Sequence, residues 1–242
     1  MLFRSSGTEG NVITFTVVRS LDATAVQTVD YSTLAGSATQ GTDYTGTSGT
    51  LTFSPGDFGL AGAKTFTVTT AGTDALFEGP ETFTAVLTNP QGGIGANIGS
   101  GTATATINDA DAPPQFTIAA VGPVSEGAGA VFNVTRNVDS QAAQTVLFGT
   151  SGGTATSGQD FTGSTGTLTF AQGVLTQTIT VATTNDTLFD SNSTENFTVT
   201  LANASLGGGI AAGTATGIIN DDDAAPNFSI SAGPAVTEGG NI

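Results

Sequence analysis

The sequence predicts an all-β protein made of tandem two-sheet sandwiches, with about seven short strands in each. Three observations indicate this fold. Apolar and polar residues alternate with a period of two in many short runs, as in half-buried strands. Gly-rich turns separate these runs about every 8–15 residues, and no segment shows the apolar stripe of a helix. The whole pattern then recurs along the 242 residues.

Two copies of one unit fill most of the chain. Ser48–Phe53 returns as Thr165–Phe170, 117 positions later, and Gly101–Asp109 returns as Gly213–Asp221. The copies differ in length in Gly-, Pro- and Ser-rich stretches, where surface loops tolerate such changes. The resulting division is repeat 1 at residues 1–111, repeat 2 at residues 112–223 and a remainder at residues 224–242.

The strand-like segments share one composition in both repeats. Thr, Val, Ile and Phe dominate them, and these branched or flat side chains suit a pleated surface. We expect Val, Ile, Phe and Leu to face the core, with the alternating Thr residues toward solvent. The segments are Val12–Val18, Thr65–Thr69, Thr82–Thr88 and Thr102–Ile107 in repeat 1, and Val131–Thr135, Thr176–Val181, Asn196–Leu201 and Thr214–Ile219 in repeat 2.

The remainder is the beginning of a third copy. Pro226–Gly239 matches Pro114–Gly127, the first strand of repeat 2, whereas residues 1–8 are a poor version of that segment. Because an unpaired strand edge is a template for another chain, residues 226–239 are expected to be donated to repeat 1 of a neighbouring copy. The alternative is a chain cut from a longer array. The expected inward anchors of the donated strand are Phe228, Ile230 and Val236.

The charge balance excludes several classes of function. The chain has 20 acidic and 4 basic residues, a net charge of −16. It repels phosphate backbones and anionic lipid, so we expect no nucleic-acid partner and no membrane binding. It contains no His, Cys or Trp, which excludes Ser-His-Asp and Cys-His catalysis, disulfides and thiolate or imidazole metal sites. With no apolar run of membrane-spanning length, the composition predicts a non-enzymatic protein, extracellular or at the cell surface.

Five sequence blocks occur in the same order in each repeat. In repeat 2 they are Ser125–Gly127, Gly158–Phe161, Thr165–Phe170, Asn185–Asp190 and Ile219–Asp223. Their order and spacing resemble the Calx-beta repeat, a family found in sodium/calcium exchangers, in integrin beta-4 and in tandem arrays of bacterial surface proteins. The resemblance implies an immunoglobulin-like sandwich whose acidic loops hold calcium ions at one apex, beside the linker to the next domain.

The resemblance also implies a set of calcium ligands. Calcium takes about six to eight oxygen ligands, several of them carboxylates. The implied ligands are Glu126, Asp160, Asp186, Asp190, Glu195, Asp221, Asp222 and Asp223 in repeat 2, and Glu9, Asp43, Asp74, Glu78, Glu81, Asp109 and Asp111 in repeat 1. In repeat 1, Thr73 replaces a family Asp and Ala110 interrupts the acidic triplet, so we expect stronger binding in repeat 2, centred on Asp221–Asp223. The alternative is that these acids only form turns and caps.

Two functions are compatible with these features. The first is structural, a rod or fibre segment that contacts adjacent repeats or neighbouring copies and is stiffened by calcium at its linkers. The second is a calcium-dependent adhesive or regulatory binding module. Such a module is expected to carry a cluster of aromatic or Arg residues, and the lack of one favours the structural role. Acceptor sites for glycans are expected at Asn133, Asn185, Asn192, Asn196, Asn203 and Asn227.

Overall fold

The computed structural model describes residues 5–93, 95–190, 193–235 and 238–239. Among these residues there is no helix, and hence none long and apolar enough to cross a membrane. The strands of repeat 1 are β1 (Ser5–Thr8), β2 (Val12–Val17), β3 (Gln27–Ala35), β4 (Ser48–Phe53), β5 (Lys64–Thr69), β6 (Leu76–Phe77), β7 (Glu81–Gln91) and β8 (Thr102–Asn108). Those of repeat 2 are β9 (Gln115–Ala120), β10 (Val124–Ser125), β11 (Gly129–Arg136), β12 (Asp139–Ser140), β13 (Gln144–Gly152), β14 (Thr165–Phe170), β15 (Thr176–Ala182), β16 (Thr194–Ala202), β17 (Gly209–Ala212) and β18 (Thr214–Asn220). The predicted all-β fold of tandem sandwiches is confirmed.

Repeat 1 packs a five-stranded sheet against a two-stranded one. The strand order of the large sheet is β1-β8-β7-β3-β4, and β2 pairs with β5 in the small one. The alternating sequence explains the burial, since Ile13, Phe15 and Val17 of β2 are buried and the residues between them are not. Phe15 stacks on Phe66 of β5, with 5.0 Å between the ring centroids. These rings belong to the core of repeat 1.

Repeat 2 has a larger second sheet. Its five-stranded sheet, β10-β18-β16-β13-β14, matches that of repeat 1, but the other sheet has the four strands β15-β11-β9-β17. Phe132 of β11 is the counterpart of Phe15 and is likewise fully buried. It meets Phe197 of the opposite sheet edge-on, with 5.8 Å between the ring centroids. The additional strands β9 and β17 lie on the side of β11 away from β15.

The repeats differ in how their first strand is built. In repeat 2, β9 pairs with β11, and β10 then runs parallel to β18. In repeat 1, β1 runs parallel to β8 as β10 does to β18. The sequence predicts a defect over residues 1–8, of which residues 1–4 lie outside the described residues and Ser5–Thr8 is a regular strand. Within the described ranges, repeat 1 has no strand that corresponds to β9, β12 or β17.

The segment after repeat 2 forms no strand over residues 221–235. Phe228 and Ile230, which the sequence predicts as inward anchors, are both exposed. The third expected anchor, Val236, lies outside the described residues. Within the described part of the chain, this apolar segment is therefore paired with no strand.

A short parallel bridge joins the two repeats. Strand β6 of repeat 1 pairs with β12 of repeat 2, so that Leu76 lies opposite Asp139 and Phe77 opposite Ser140. The Gln141 N–H donates to the Phe77 carbonyl at 3.0 Å, and the Phe77 side chain is buried. The sandwiches therefore meet through backbone hydrogen bonds as well as through side chains.

Candidate metal centre

The parallel pairing of β1 with β8 brings together acidic residues from the two ends of repeat 1. Thr8 lies opposite Asn108, so Glu9 and Asp109 follow at the same edge of the sheet. The Glu9 N–H donates to the Asn108 carbonyl at 3.1 Å and holds this position. Carboxylate oxygens of Glu9, Asp109 and Asp111 lie within 4.8 Å of one another. We name these three residues the first cluster of repeat 1.

Asp109 organises the first cluster through its hydrogen bonds. Its Oδ2 accepts from the N–H groups of Glu78 and Gly79, both at 2.8 Å. Its Oδ1 accepts from the Asp111 N–H at 2.8 Å. These bonds tie the loop after β6 to the end of β8 and set the position of Asp111. Asp111 Oδ2 is buried without a hydrogen-bond partner, which is costly for a carboxylate unless a cation compensates it.

The second cluster of repeat 1 consists of Asp43, Glu78 and Glu81, whose carboxylate oxygens also lie within 4.8 Å of one another. Asp43 is buried in the loop before β4, and its Oδ2 accepts from the Thr39 N–H. The pKa of Glu78 is raised to about 7, first by burial and then by its hydrogen bond with Glu9. The pKa of Glu81 is also raised to about 7, first by burial and then by its hydrogen bond with Asp43 and by the charge of Asp43.

Repeat 2 has a similar first cluster with one different member, because Asp186 stands there in place of the counterpart of Asp109. Strand β10 runs parallel to β18 and brings Glu126 beside Asp221. Asp221 accepts from the N–H groups of Asp190 and Asp223, at 2.8 and 2.9 Å. Carboxylate oxygens of Glu126, Asp186 and Asp223 lie within 4.8 Å of one another. Glu126 Oε2 and Asp223 Oδ2 are buried without a hydrogen-bond partner, and desolvation together with the neighbouring acids raises the pKa of both groups.

Glu195 is hydrogen-bonded with Asp160 and Asp190, the counterparts of Asp43 and Glu78 in the second cluster of repeat 1. The pKa of Glu195 is raised to about 7, first by burial and then by the charge of Asp160 and the hydrogen bonds with both aspartates. Asp160 Oδ2 accepts from the Thr156 N–H at 2.7 Å. Asp43 of repeat 1 forms an equivalent turn, in which it accepts from the Thr39 N–H. The two repeats thus gather carboxylates at matching positions.

Asp74 and Asp186 shape the loops beside the clusters. Each accepts a hydrogen bond at 2.7 Å from the N–H two residues further along the chain. Asp186 belongs to the first cluster of repeat 2. Burial is the main cause that raises the pKa of Glu9 and of Glu78, and the charge of Asp74 makes a smaller contribution to both.

The implied ligands that belong to none of these groups of carboxylates are Asp74, Asp221 and Asp222. Asp222 is exposed, and so is Ala110 at the matching position of repeat 1. Its neighbour Asp223 joins the first cluster of repeat 2, and Asp221 orients the loop by accepting from the N–H groups of Asp190 and Asp223. The sequence predicts Asp221–Asp223 as the centre of the site, and the structure brings the third of these residues into the cluster. The Ala at position 110 therefore leaves the first cluster of repeat 1 intact.

The donor set suits a hard divalent cation. The side chains in these clusters offer carboxylate oxygens, and the chain has no His or Cys, the residues that supply the softer ligands of zinc and copper. Three buried oxygens in these clusters, on Asp111, Glu126 and Asp223, lack a hydrogen-bond donor. A calcium ion would supply both the missing bonds and the opposite charge, so the residues present fit calcium.

Gln141 contacts the site, although the sequence alone does not indicate it. Its Nε2 donates to Glu78 Oε1 at 2.7 Å, so that repeat 2 directly contacts the second cluster of repeat 1. Gln141 directly follows β12, the strand of the bridge between the repeats. No local pattern marks this residue, because its contact depends on how the two sandwiches meet.

Both repeats match one known protein family. The family model of the Calx-beta domain matches residues 3–111 and again residues 118–223. The crystal structure of the apo-form Calx CBD1 domain is 32% identical over 45% of this chain and 99% of that chain, with a TM-score of 0.41. That of CBD12 from CALX1.2 is 21% identical over 88% of this chain and 96% of that chain, with a TM-score of 0.40. No curated protein gives a significant match.

Proposed function

The chain belongs to the Calx-beta family, and on that premise we propose that it is a non-enzymatic, calcium-binding structural module of an extracellular rod or fibre. One observation carries the proposal. Gln141 of repeat 2 donates to Glu78, a member of the second carboxylate cluster of repeat 1. A cation site at this position lies at the junction of the sandwiches, so its occupation changes how firmly the two repeats are held together.

The electrostatics of the second cluster explain why a cation would matter. Asp43, Glu78 and Glu81 bring like charges together, and the pKa of both glutamates is about 7. Near neutral pH these groups are therefore divided between a protonated form and a mutually repelling charged form. Bound calcium supplies the positive charge that allows both glutamates to ionise beside Asp43. The loop that leads from β6 into Glu78 would then lose freedom, and the junction would stiffen.

Both repeats are included in this proposal. The stronger binding that the sequence predicts for repeat 2 stays a prediction. Repeat 1 supports binding of its own, because it keeps two groups of three carboxylates. In an array, stiffening at every junction adds up along the rod, since each repeat contacts only its neighbours. Adjacent repeats and neighbouring copies, joined head to tail by a donated strand, are the proposed partners.

Glycosylation fits an extracellular location and is proposed only for exposed acceptor sites. These are Asn133, Asn185, Asn203 and Asn227. Asn196 is half-buried, and its Oδ1 accepts from the Thr154 N–H at 3.4 Å, so it is the weaker candidate. Asn192 lies outside the described residues.

Calorimetric titration with calcium tests binding, and a distance measurement tests stiffening. The chain has no Cys, so Thr52→Cys and Thr169→Cys introduce one spin label at matching exposed positions of each repeat. In labelled chains diluted with unlabelled ones, we expect the distance distribution to narrow with calcium and to broaden with chelator. The control Gln141→Ala should retain the binding heat and lose most of the narrowing. The absence of binding heat would overturn the proposal.

A further inference from the structure

Strand β2 of repeat 1 has an open edge. It pairs with β5 on one side, and no strand of the described residues pairs with its other side. The corresponding strand of repeat 2, β11, is paired on both sides, with β15 and with β9. The Ser5 hydroxyl donates to the Thr14 carbonyl at 2.7 Å near the start of β2, so the open part begins at Phe15. Such an edge is a template for a further strand.

In repeat 2, strand β9 closes this side of the sandwich with apolar side chains. Phe116 is fully buried and lies edge-on to Phe170, with 5.1 Å between the ring centroids. It also lies opposite Ile210 of β17. Ile118, on the same face of β9, is buried as well. The strand therefore contributes two core residues that repeat 1 lacks within the described part of the chain.

Repeat 1 has a groove at the place that Phe116 occupies in repeat 2. Its volume is about 480 Å³, and Phe53 and Ile98 are among the residues that line it. These two residues are the counterparts of Phe170 and Ile210. Phe53 is 4% exposed where Phe170 is fully buried, and Ile98 is half-buried, as Ile210 is. The groove thus lies beside two core residues whose counterparts contact Phe116 or lie opposite it in the other repeat.

The arginine beside the groove shows the same difference. In repeat 2, Arg136 lies opposite Phe116, pairs with Asp139 and has no exposed side-chain surface. In repeat 1, Arg19 pairs with Asp22 at 2.9 Å, lines the groove and has 11% of its side chain exposed. A covering strand accounts for the additional burial of Arg136.

Residues 226–230 carry the sequence that fills this place in repeat 2. Pro226–Ile230 reads Pro-Asn-Phe-Ser-Ile, and Pro114–Ile118 reads Pro-Gln-Phe-Thr-Ile. Phe228 follows the end of β18 by eight residues, as Phe116 follows the end of β8. Yet Phe228 and Ile230 are 101% and 99% exposed. The chain therefore presents both an open groove and an unburied copy of the strand that fits it.

We propose that residues 227–232 of one copy add as an antiparallel strand to β2 of a second copy, with Phe228 in the groove of repeat 1. The inference rests on the head-to-tail assembly proposed above and assigns its surface. By the alignment of β9 with β11, Phe228 lies opposite Arg19, and Ile230 lies opposite Val17. The backbone hydrogen bonds provide affinity, and the groove selects the side chains.

A second observation supports the same contact. Phe77 of β6 is buried where β6 pairs with β12 at the junction inside the chain. The counterparts of the two β6 residues in repeat 2 are Leu188 and Phe189, which are 73% and 44% exposed. Repeat 2 therefore carries at its far end an uncovered version of the surface with which repeat 1 contacts repeat 2.

In the second copy, Asp22 and Ala23 are the residues expected to contact the exposed surface formed by Leu188 and Phe189. Asp22 and Ala23 are the counterparts of Asp139 and Ser140 of β12, and each Asp side chain accepts from the next N–H at 2.8 Å. When Phe228 enters the groove, Asp22 of the acceptor comes beside the exposed surface at the end of repeat 2. The junction between copies then resembles the junction within the chain. It joins two different surfaces, so it extends into a filament unless its rotation closes a ring.

A disulfide test examines both the register and the partner. The chain has no Cys, so Val18→Cys with Ser229→Cys places one pair directly opposite each other in the proposed ladder. We expect disulfide-linked multimers on a non-reducing gel, and their loss when Phe228→Asp is added. The off-register pair Val12→Cys with Ser229→Cys should cross-link at least tenfold less. A cross-linked monomer, or equal cross-linking by both pairs, would overturn the proposal.

Sedimentation of the chain without Cys substitutions gives an independent result. We expect concentration-dependent polymers, monomers for Phe228→Asp, and unchanged polymers for Leu206→Asp, which alters an exposed apolar residue outside the contact. An unmodified chain that stays monomeric would contradict the proposal. Both experiments are run with calcium and with chelator. If multimers form but no calcium binds, only the calcium proposal is contradicted. If calcium binds but no multimers form, only the proposed strand addition is contradicted.

Discussion

Repeat 1 and repeat 2 each have a five-stranded sheet of the same strand order and gather acids at its edge. They differ in the second sheet, where β11 of repeat 2 pairs with a strand on each side and its counterpart β2 pairs, among the described residues, with β5 alone. Within the described residues, repeat 1 still buries Ile13, Phe15 and Val17 of β2 to 3% exposure or less. The aromatic centre of the sandwich therefore closes without the outer strand. What remains open is one side, where the groove and Arg19 meet solvent. The outer strand is thus the element that can be supplied by another chain.

The largest expected effect concerns Phe116 and its counterpart Phe228, since the first is buried and the second is exposed. Phe116→Ala should destabilise repeat 2 by about 3–5 kcal/mol, because it leaves a cavity beside Phe170. Phe228→Ala should change the stability of the monomer by less than about 0.5 kcal/mol, because this side chain is exposed. Urea unfolding at concentrations below assembly, with hydrogen exchange to assign each transition, measures both. Similar losses for the two variants would show that Phe228 is buried within its own chain.

The two arginines give the next effect. Arg136→Ala leaves Asp139 without its cation and Gln144 without a donor in a buried place, at a cost of about 2–3 kcal/mol. Arg19→Ala should cost only about 1 kcal/mol, because solvent reaches the groove. In assembled chains the effect of Arg19→Ala should approach that of Arg136→Ala. If it is the same in monomers and polymers, no strand covers Arg19.

The strands could be predicted because a period of two is a property of neighbouring residues. The run Thr65–Thr69 predicts a strand, and β5 spans Lys64–Thr69. The bridge between β6 and β12 could not be predicted, because strands of two residues have no period. They form where the two sandwiches meet, and that contact is not encoded in any local pattern.

For the candidate site, the sequence predicts which acids take part but not how they are arranged. The acids were identified by their resemblance to a family pattern, and most of them gather in clusters at matching places. Which member of the triplet Asp221–Asp223 joins the first cluster of repeat 2 depends on the hydrogen bond from the Asp223 N–H to Asp221. No sequence pattern indicates the contact of Gln141, because its partner, Glu78, lies in the other repeat. Both features follow from backbone geometry and from contacts between repeats rather than from sequence spacing.

A pH dependence should appear when calcium is removed. The pKa of Glu78, Glu81 and Glu195 is about 7 in the folded chain, above the ordinary value of 4.5. Between these values the folded chain holds protons that the unfolded chain has lost, so stability falls as pH rises from 4.5 to 7. In chelator we expect melting about 3–6 °C lower at pH 8 than at pH 5. Glu81→Gln should reduce this difference, and a flat profile would contradict the raised pKa values.

The smallest expected effect separates two adjacent acids. Asp223→Ala should weaken calcium binding in repeat 2 by tenfold or more, because its carboxylate lies within 4.8 Å of Glu126 and Asp186 and has a buried oxygen without a donor. Asp222→Ala should change it by less than about twofold, because this exposed side chain acts only through a charge that salt screens. Calorimetry in an Asp111→Ala, Glu81→Ala background, which removes one carboxylate from each cluster of repeat 1, assigns the heat mainly to repeat 2. Equal losses for Asp222→Ala and Asp223→Ala would mean that the triplet binds as a unit.

If only Asp223 matters, an acid at position 110, the counterpart of position 222, should not strengthen calcium binding in repeat 1. Calorimetry of Ala110→Asp in the intact chain tests this.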